Sequence, residues 1–274
     1  KIVTATAGLE LGKVKVTDHF SCPGFRIVED RKIRCHKTTG HGAETFKEGV
    51  MNSCNPVFME VGARVGVDGM YTIFRQMGLF EKTGIDIPGE ANSIMHNKKN
   101  VGAVELATMS FGQSFQITPL QLMRAASAAV NGGTLVTPHF GMKAVDSSGK
   151  TVKTFEFAKK KNVIKKETSE TMRELLEAVV SEGSGRNCKI EGYSIGGKTA
   201  TSEKLPRGTG KYISSFLGFS KAEHPTVMAL VMIDEPKGTY YGGTIAAPVV
   251  REVFKVALPY LGISKDYTVD KTKK

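Results

Sequence analysis

Apolar residues along the chain change their period more than once, and the changes mark out its elements. The opening stretch 1–12 (KIVTATAGLELG) suits a helix ended by Gly12, since a glycine after the last periodic residue stops helices. Short strand-like pieces then run through a segment rich in histidine and cysteine to Gly42. From Glu44 onward Phe46, Val50, Val57, Val61 and Val65 recur at helical spacing, interrupted at Ser53-Cys54-Asn55-Pro56. The residue before a proline avoids helical backbone, asparagine caps helix starts, and proline suits the first helical position. One helix is therefore expected to end near Asn52 and a second to begin after Asn55, leaving Ser53 and Asn55 on the joint, where polar side chains can face a cleft. Residues 66–100 read as short helical pieces alternating with Gly/Pro-rich ones. Helices are expected at 103–109 and at 118–131, the latter opened by Thr118-Pro119 and closed by Gly132-Gly133. Strands and a lysine-rich connection follow at 134–166, then an amphipathic helix at 167–183 carrying Met172, Leu175, Leu176 and Val179. Alternating patterns at 193–202, 214–220 and 226–234 predict strands, and a last helix is expected near 247–261.

This order implies an α+β fold: an antiparallel sheet flanked by helices, in one domain spanning 1–274, with a helix-rich subdomain at 44–133 inserted within it and sites expected at the seam. No internal repeat is visible. With 274 residues the chain can bury a sizeable core, and 40% hydrophobic with 24% charged residues excludes wholesale disorder, collagen and coiled coil. The longest apolar run, 227–233, is far short of the ~20 residues a membrane helix needs. No signal peptide opens the sequence, so work outside the cytoplasm would require an export signal or anchor that these residues do not include.

The 38 Lys+Arg against 27 Asp+Glu leave a net charge of +11, mostly scattered lysine apart from Lys159, Lys160, Lys161, Lys165, Lys166 and the tail with Lys271, Lys273 and Lys274. Tryptophan is absent and no nucleic-acid recognition motif is present, so no nucleic-acid partner is expected. A solvated lysine-rich surface explains the charge, with attraction to an anionic envelope polymer or lipid surface as an addition. Four cysteines are too few for a disulfide scaffold at this length. Cys22 and Cys35, however, sit among Asp18, His19, His36 and His41. Two thiolates, an imidazole and a carboxylate form a tetrahedral zinc set, with Cys22, Cys35, His36 and Asp18 (or His19 in its place) as ligands of a structural zinc. Two reduced cysteines, or a disulfide closed by a hairpin over 23–34, are the alternatives that the spacing leaves open.

Three polar clusters suit acyl chemistry: Lys1 opening a helix, Ser53-x-Asn55 on the helix joint, and Lys198-Thr199-Ala200-Thr201 on a strand. A serine nucleophile acting without histidine needs a lysine amine to take its proton, a second hydroxyl to relay it, and cations to hold the substrate carboxylate.

Lys1, Ser53-Cys54-Asn55 and Lys198-Thr199-Ala200 resemble the S-x-x-K, S-x-N and K-T-G motifs of penicillin-binding proteins and serine β-lactamases. The likeness extends to Gly40-His41-Gly42, Phe111-Gly112-Gln113, the 117–122 run ITPLQL and Asn131-Gly132-Gly133. Together these are similar to the transpeptidase domain of class B penicillin-binding proteins, in particular the elongation and sporulation type of clostridia or bacilli, over nearly the whole chain.

The resemblance implies the penicillin-binding-protein/β-lactamase-like fold and a peptidoglycan D,D-transpeptidase that cross-links stem peptides through a serine acyl-enzyme and is acylated by β-lactam antibiotics. It also implies a membrane glycosyltransferase partner and a place at the extracytoplasmic face of the cell membrane, anchored by an N-terminal segment outside this sequence. By position, Lys1 would activate the serine, Ser53 would pass its proton to the leaving group, and Asn55 would hold the donor amide and orient Lys1. Lys198 would polarise Ser53, Thr199 and Thr201 would bind the substrate carboxylate, and the Thr201 N–H would help form an oxyanion hole. Two departures stand out. The family's nucleophilic serine lies three positions before the motif lysine, upstream of Lys1, and Ala200 replaces the usual glycine, adding a methyl group to the groove wall. A serine β-lactamase and a non-catalytic wall scaffold of the same fold are the alternative functions.

Overall fold

The computed structural model describes residues 1–206 and 208–266; the lysines at 271, 273 and 274 lie outside them. The chain opens with α1 (Ile2–Glu10), followed by β1 (His19–Cys22), β2 (Phe25–Val28), β3 (Arg31–Arg34) and β4 (Gly42–Thr45). β2 and β3 form the hairpin expected over 23–34, while β1 pairs antiparallel with β4, setting Cys22 opposite Gly42 and His19 opposite Thr45. Next come α2 (Phe46–Met51), α3 (Asn55–Gln76), α4 (Ala103–Ser110) and α5 (Pro119–Val130). Thr45 caps α2 in a reciprocal box with Glu48, and Thr118 caps α5 in the same way with Gln121. Past these lie the small pairs β5 (Leu135–Val136) with β8 (Lys159–Lys160) and β6 (Lys143–Val145) with β7 (Thr151–Thr154). The amphipathic α6 (Lys166–Ser181) leads into β9 (Ile195–Glu203), β10 (Tyr212–Ser220) and β11 (Val227–Asp234), and α7 (Gly242–Ile245) and α8 (Ala247–Tyr260) follow them.

The break expected after residue 65 is present: Gly66 has a φ of 74° and a ψ of 168°, outside helical backbone and cheap only for glycine, so α3 consists of two helical pieces, 55–65 and 67–76, that meet at a kink. Val57, Phe58 and Val61 before the kink and Met70, Ile73 and Phe74 after it are buried in the same core, so both pieces pack against it.

The three-stranded sheet has the order β11-β10-β9, all antiparallel. β10 is its centre and is apolar on both faces. Leu217 and Phe219 enter the main core with α1, α3, α5 and α6, whereas Phe216 joins Val250, Phe254 and Leu258 of α8 on the other side. Lys198 of β9 pairs with Leu217, and directly paired residues share a face, so Lys198 points to the side where α1 lies. Among the described residues β9 pairs with a strand on one side only, which leaves it as the sheet edge.

Close approach of α3 and α4 depends on Gly62, where a Cβ would lie 1.7 Å from Ser110 Oγ. Ser110 is fully buried, donates to the Leu106 carbonyl at 2.6 Å and accepts from Thr4 Oγ1 of α1 through its own carbonyl at 2.7 Å. Gly62→Ala is therefore expected to lower stability by about 2–3 kcal/mol through overpacking. Urea unfolding should give a lower midpoint at unchanged slope, and a midpoint equal to the wild type would contradict the packing described.

Candidate active site

The joint between α2 and α3 brings the first two clusters together. Asn52 N–H and Cys54 N–H donate to Glu48 and Gly49 carbonyls, closing α2, and Ser53 takes a φ of 57°, the left-handed region that a non-glycine residue enters at a cost. That turn points Ser53 toward α1. Lys1 Nζ donates to Ser53 Oγ at 3.1 Å, to the Ser53 carbonyl at 3.0 Å and to Asn55 Oδ1 at 2.7 Å. The rings of Phe58 and Phe111 stand 5.7 and 5.9 Å from the same ammonium. Burial disfavours the charged amine and lowers the Lys1 pKa to about 8, against the raising effect of the nearby Cys35 and Cys54. Roughly a tenth of a lysine with such a pKa is the free base at pH 7.

Asn55 does not cap α3; Cys54 takes the cap position with no side-chain bond. With Oδ1 on Lys1, the Asn55 amide donates from Nδ2 to the Arg34 carbonyl at 3.1 Å, which ties the loop after β3 to the site.

Lys198 is only 6% exposed, and its ammonium donates to Thr199 Oγ1 and the Thr199 carbonyl, both at 3.3 Å. Burial first and the charge of Lys1 second hold its pKa well below the ordinary lysine range. Two buried cations acting on each other in this way favour an anion between or beside them. Thr199 is half-buried, Ala200 and Thr201 are exposed, and Thr201 Oγ1 accepts from Gly242 N–H at 3.1 Å. The late strand thus lies beside the joint with two hydroxyls and the Ala200 methyl along its open edge.

The cysteine segment assembles differently from the zinc set expected. Cys22, Cys35, His41 and Cys54 place one ligand atom each within 4.8 Å of one another. Cys22 and Cys35 are members as expected, whereas Asp18 and His36 are not. The β1–β4 register explains the entry of His41 and the absence of Asp18, because it seats the residues around Gly42 beside Cys22 and leaves Asp18 beyond the far end of β1, about 13 Å of extended chain away. Asp18 accepts instead from Lys15 N–H at 3.1 Å and Arg64 Nη1 at 3.2 Å. His36 is exposed, with Nδ1 3.8 Å from Cys35 Sγ, and His19 is exposed as well. His41 Nδ1 lies 3.7 Å from Cys35 Sγ, and Cys54 enters from the cap of α3. All four cysteines of the chain are buried and free. A hydrogen bond from Cys54 pulls the Cys35 thiol pKa far down, and the same bond pushes that of Cys54 up. Glu44, 3% exposed, has Oε2 buried without a hydrogen-bond partner and 3.9 Å from His41 Nδ1.

His41 stands in the Gly-His-Gly run at 40–42, six residues after Cys35, which is a local signal for it; Cys54 joins the set only through the tertiary contact of α3 with the loop.

The chain is similar to known proteins over most of its length. Over 269 residues, 96% of the chain, it is 45% identical to stage V sporulation protein D of Bacillus subtilis, covering 42% of that protein. It is 31% identical over 273 residues to the probable peptidoglycan D,D-transpeptidase PenA of Neisseria flavescens, covering 96% of this chain and 64% of that one. The chain thus spans 42% and 64% of the length of these two relatives. Among solved structures, the transpeptidase domain of penicillin-binding protein 3 from Burkholderia pseudomallei superposes with a TM-score of 0.84 at 25% identity, over 98% of this chain and 80% of that one. Penicillin-binding protein 3 of Mycobacterium tuberculosis, solved with aztreonam, has the same fold at a TM-score of 0.87, 23% identity and coverage of 97% and 62%. The family model of the penicillin-binding protein transpeptidase domain matches residues 1–255, so nearly all of the sheet, the helices and the Lys1–Ser53–Asn55 joint fall within one pattern, and the chain belongs to that family.

Proposed function

We propose that the chain is the catalytic domain of a peptidoglycan D,D-transpeptidase, acting on stem peptides that end in D-Ala-D-Ala. The observation that carries the reading is the single amine of Lys1 bonded to both Ser53 Oγ and Asn55 Oδ1, with Lys198 close enough for its charge to be felt. The nucleophile is the serine that the family motif puts three positions before Lys1, one helical turn from its amine. Lys1 takes the serine proton as the oxygen attacks the carbonyl of the penultimate D-Ala. Ser53, hydrogen-bonded to Lys1, hands a proton to the departing D-Ala amine, and the C–N bond breaks to leave an ester. An amine of a neighbouring stem then attacks that ester, loses its proton by the reverse route and restores the serine. Lys198, Thr199 and Thr201 hold the terminal carboxylate, and backbone N–H groups on the β9 edge stabilise the oxyanion, a contribution of about 3 kcal/mol per donor. β-Lactams enter the same route and stop at the ester.

The likeness to a sporulation protein favours a role in sporulation wall synthesis. A position at the extracytoplasmic membrane face and a membrane glycosyltransferase partner are the accompanying expectations; among the described residues no helix is long and apolar enough to cross a membrane. A structural zinc is part of the proposal, held by Cys22, Cys35, His41 and Cys54 in place of the set expected from spacing. Three soft thiols with one imidazole suit zinc, and the buried Glu44 carboxylate, 3.9 Å from His41 Nδ1, would add a neighbour that a bound cation would offset. Such a four-ligand site is closed, so the ion would fix the loop and α3 without entering the acyl chemistry.

The test is incubation of the full-length protein, including the residues before Lys1, with a labelled penicillin. One stable covalent adduct per chain, mapped to the serine three positions upstream, and release of D-Ala from a pentapeptide stem are expected. No adduct under native conditions, or rapid hydrolysis of the adduct, would overturn the transpeptidase reading.

A further inference from the structure

A fourth segment, outside the three motifs, reaches the candidate cleft. The turn after α6, Gly183-Ser184-Gly185, is held from two directions. Ser184 N–H donates to the carbonyl of Met51, the last residue of α2 and two positions before Ser53, at 3.0 Å. On the other side its carbonyl lies against Gly243 so closely that a Cβ there would meet it at 2.6 Å, and Asn187 Nδ2 donates to the Gly243 carbonyl at 2.8 Å. The backbone of Ser184 is therefore clamped between the Ser53 joint and α7. Its side chain remains exposed, with Oγ 3.2 Å from Thr199 Oγ1.

Hydroxyl bookkeeping gives this contact a direction. A threonine hydroxyl has one proton to donate and two lone pairs to fill. Lys198 Nζ already fills one lone pair of Thr199 Oγ1 at 3.3 Å. We propose that Ser184 is a positioning residue for carboxylate recognition: it donates its O–H to the second lone pair of Thr199 Oγ1 and so commits the Thr199 proton to the substrate carboxylate. The inference deepens the transpeptidase reading and rests on it. The ligand class it serves is an acyl donor with a free carboxylate beside the scissile amide, whether a D-Ala-terminated peptide or a bicyclic β-lactam. A hydroxyl whose proton is directed in advance need not reorient on binding, so the gain belongs to affinity for the anionic group and not to the acyl step.

The experiment uses the full-length protein as wild type, Ser184→Ala and Ser184→Thr, acylated by a penicillin with a free carboxylate and by the methyl ester of the same penicillin, each followed over time by mass spectrometry. For the free acid, Ser184→Ala should lower the rate at low penicillin concentration about three- to tenfold, the loss lying in the concentration needed for half-maximal rate. The ester, slow from the start, should be slowed no further, and Ser184→Thr should restore the acid rate. Equal slowing of acid and ester would make Ser184 merely structural and overturn the inference, as would an unchanged acid rate in Ser184→Ala. A wild-type protein that forms no adduct with either compound sinks the transpeptidase reading itself, a failure distinguishable from both of these.

Discussion

Replacing Lys1 with alanine in the full-length protein should reduce acylation by penicillin by about 10³-fold or more, because it removes the base that must take the serine proton. The same substitution unties Ser53 and Asn55, which meet only through the Lys1 amine at 3.1 and 2.7 Å. Lys1→Arg keeps a cation and its hydrogen bonds but stays protonated, so it should be nearly as inactive as alanine; activity close to wild type in the arginine variant would remove Lys1 from the role of base. The pH profile of the wild type gives a second reading. Burial lowers the Lys1 pKa from 10.5 to about 8, so the free amine, and with it the acylation rate, should rise close to tenfold per pH unit below 8 and level off above it. The stability consequence has a fixed sign. The folded pKa lies below the unfolded one, so the unfolded state binds more protons between about 8 and 10.5 and folding stability should increase with pH across that window. A rate that is flat from pH 6 to 9 would show that no amine of this pKa limits acylation.

Removal of the proposed zinc should produce the second large effect. Protein purified without chelator is expected to carry close to one zinc per chain, and treatment with a strong chelator should lower the melting temperature by about 10 °C or more. The magnitude follows from the coupling of metal binding to folding: a loss of about 4 kcal/mol moves the midpoint of a chain this size by about 8–16 °C. Acylation should fall in the same sample, since Cys54 stands between Ser53 and Asn55 at the cap position of α3. His41→Ala should reproduce the loss of zinc, whereas Asp18→Ala and His36→Ala should leave zinc content unchanged. Less than half an equivalent of zinc, with the Cys22, Cys35 and Cys54 thiols freely titratable in the folded protein, would refute the site.

The two expectations depend on different kinds of information. Helices with a continuous apolar face, such as α5, α6 and α8, and the alternating strands of the three-stranded sheet could be read locally, because their burial pattern repeats within a few residues. The break at Gly66 was legible too, from the glycines at 66 and 69, but that Met70, Ile73 and Phe74 of the second piece pack in the same core as Val57 and Phe58 was not. The role of Asn55 could not be decided locally either. Its position before Pro56 suits a cap, and only the arrival of Lys1 and the Arg34 carbonyl gives its amide two partners far away in sequence.

What the sequence alone determined is the chemistry available and the α+β order of elements: a lysine at the start of a helix, a Ser-x-Asn joint forced by proline, a Lys-Thr strand, and a thiol- and histidine-bearing loop between the first two. The tertiary structure decided which of those groups meet. It set Lys1 on Ser53 and Asn55, exchanged Asp18 and His36 for His41 and Cys54 around the thiols, and brought Ser184 to Thr199. The physical reason is range: helical and strand periods are local properties of a few residues, whereas a site made of side chains from several elements depends on strand register and helix packing, and a shift of one residue in either would send each side chain to a different face.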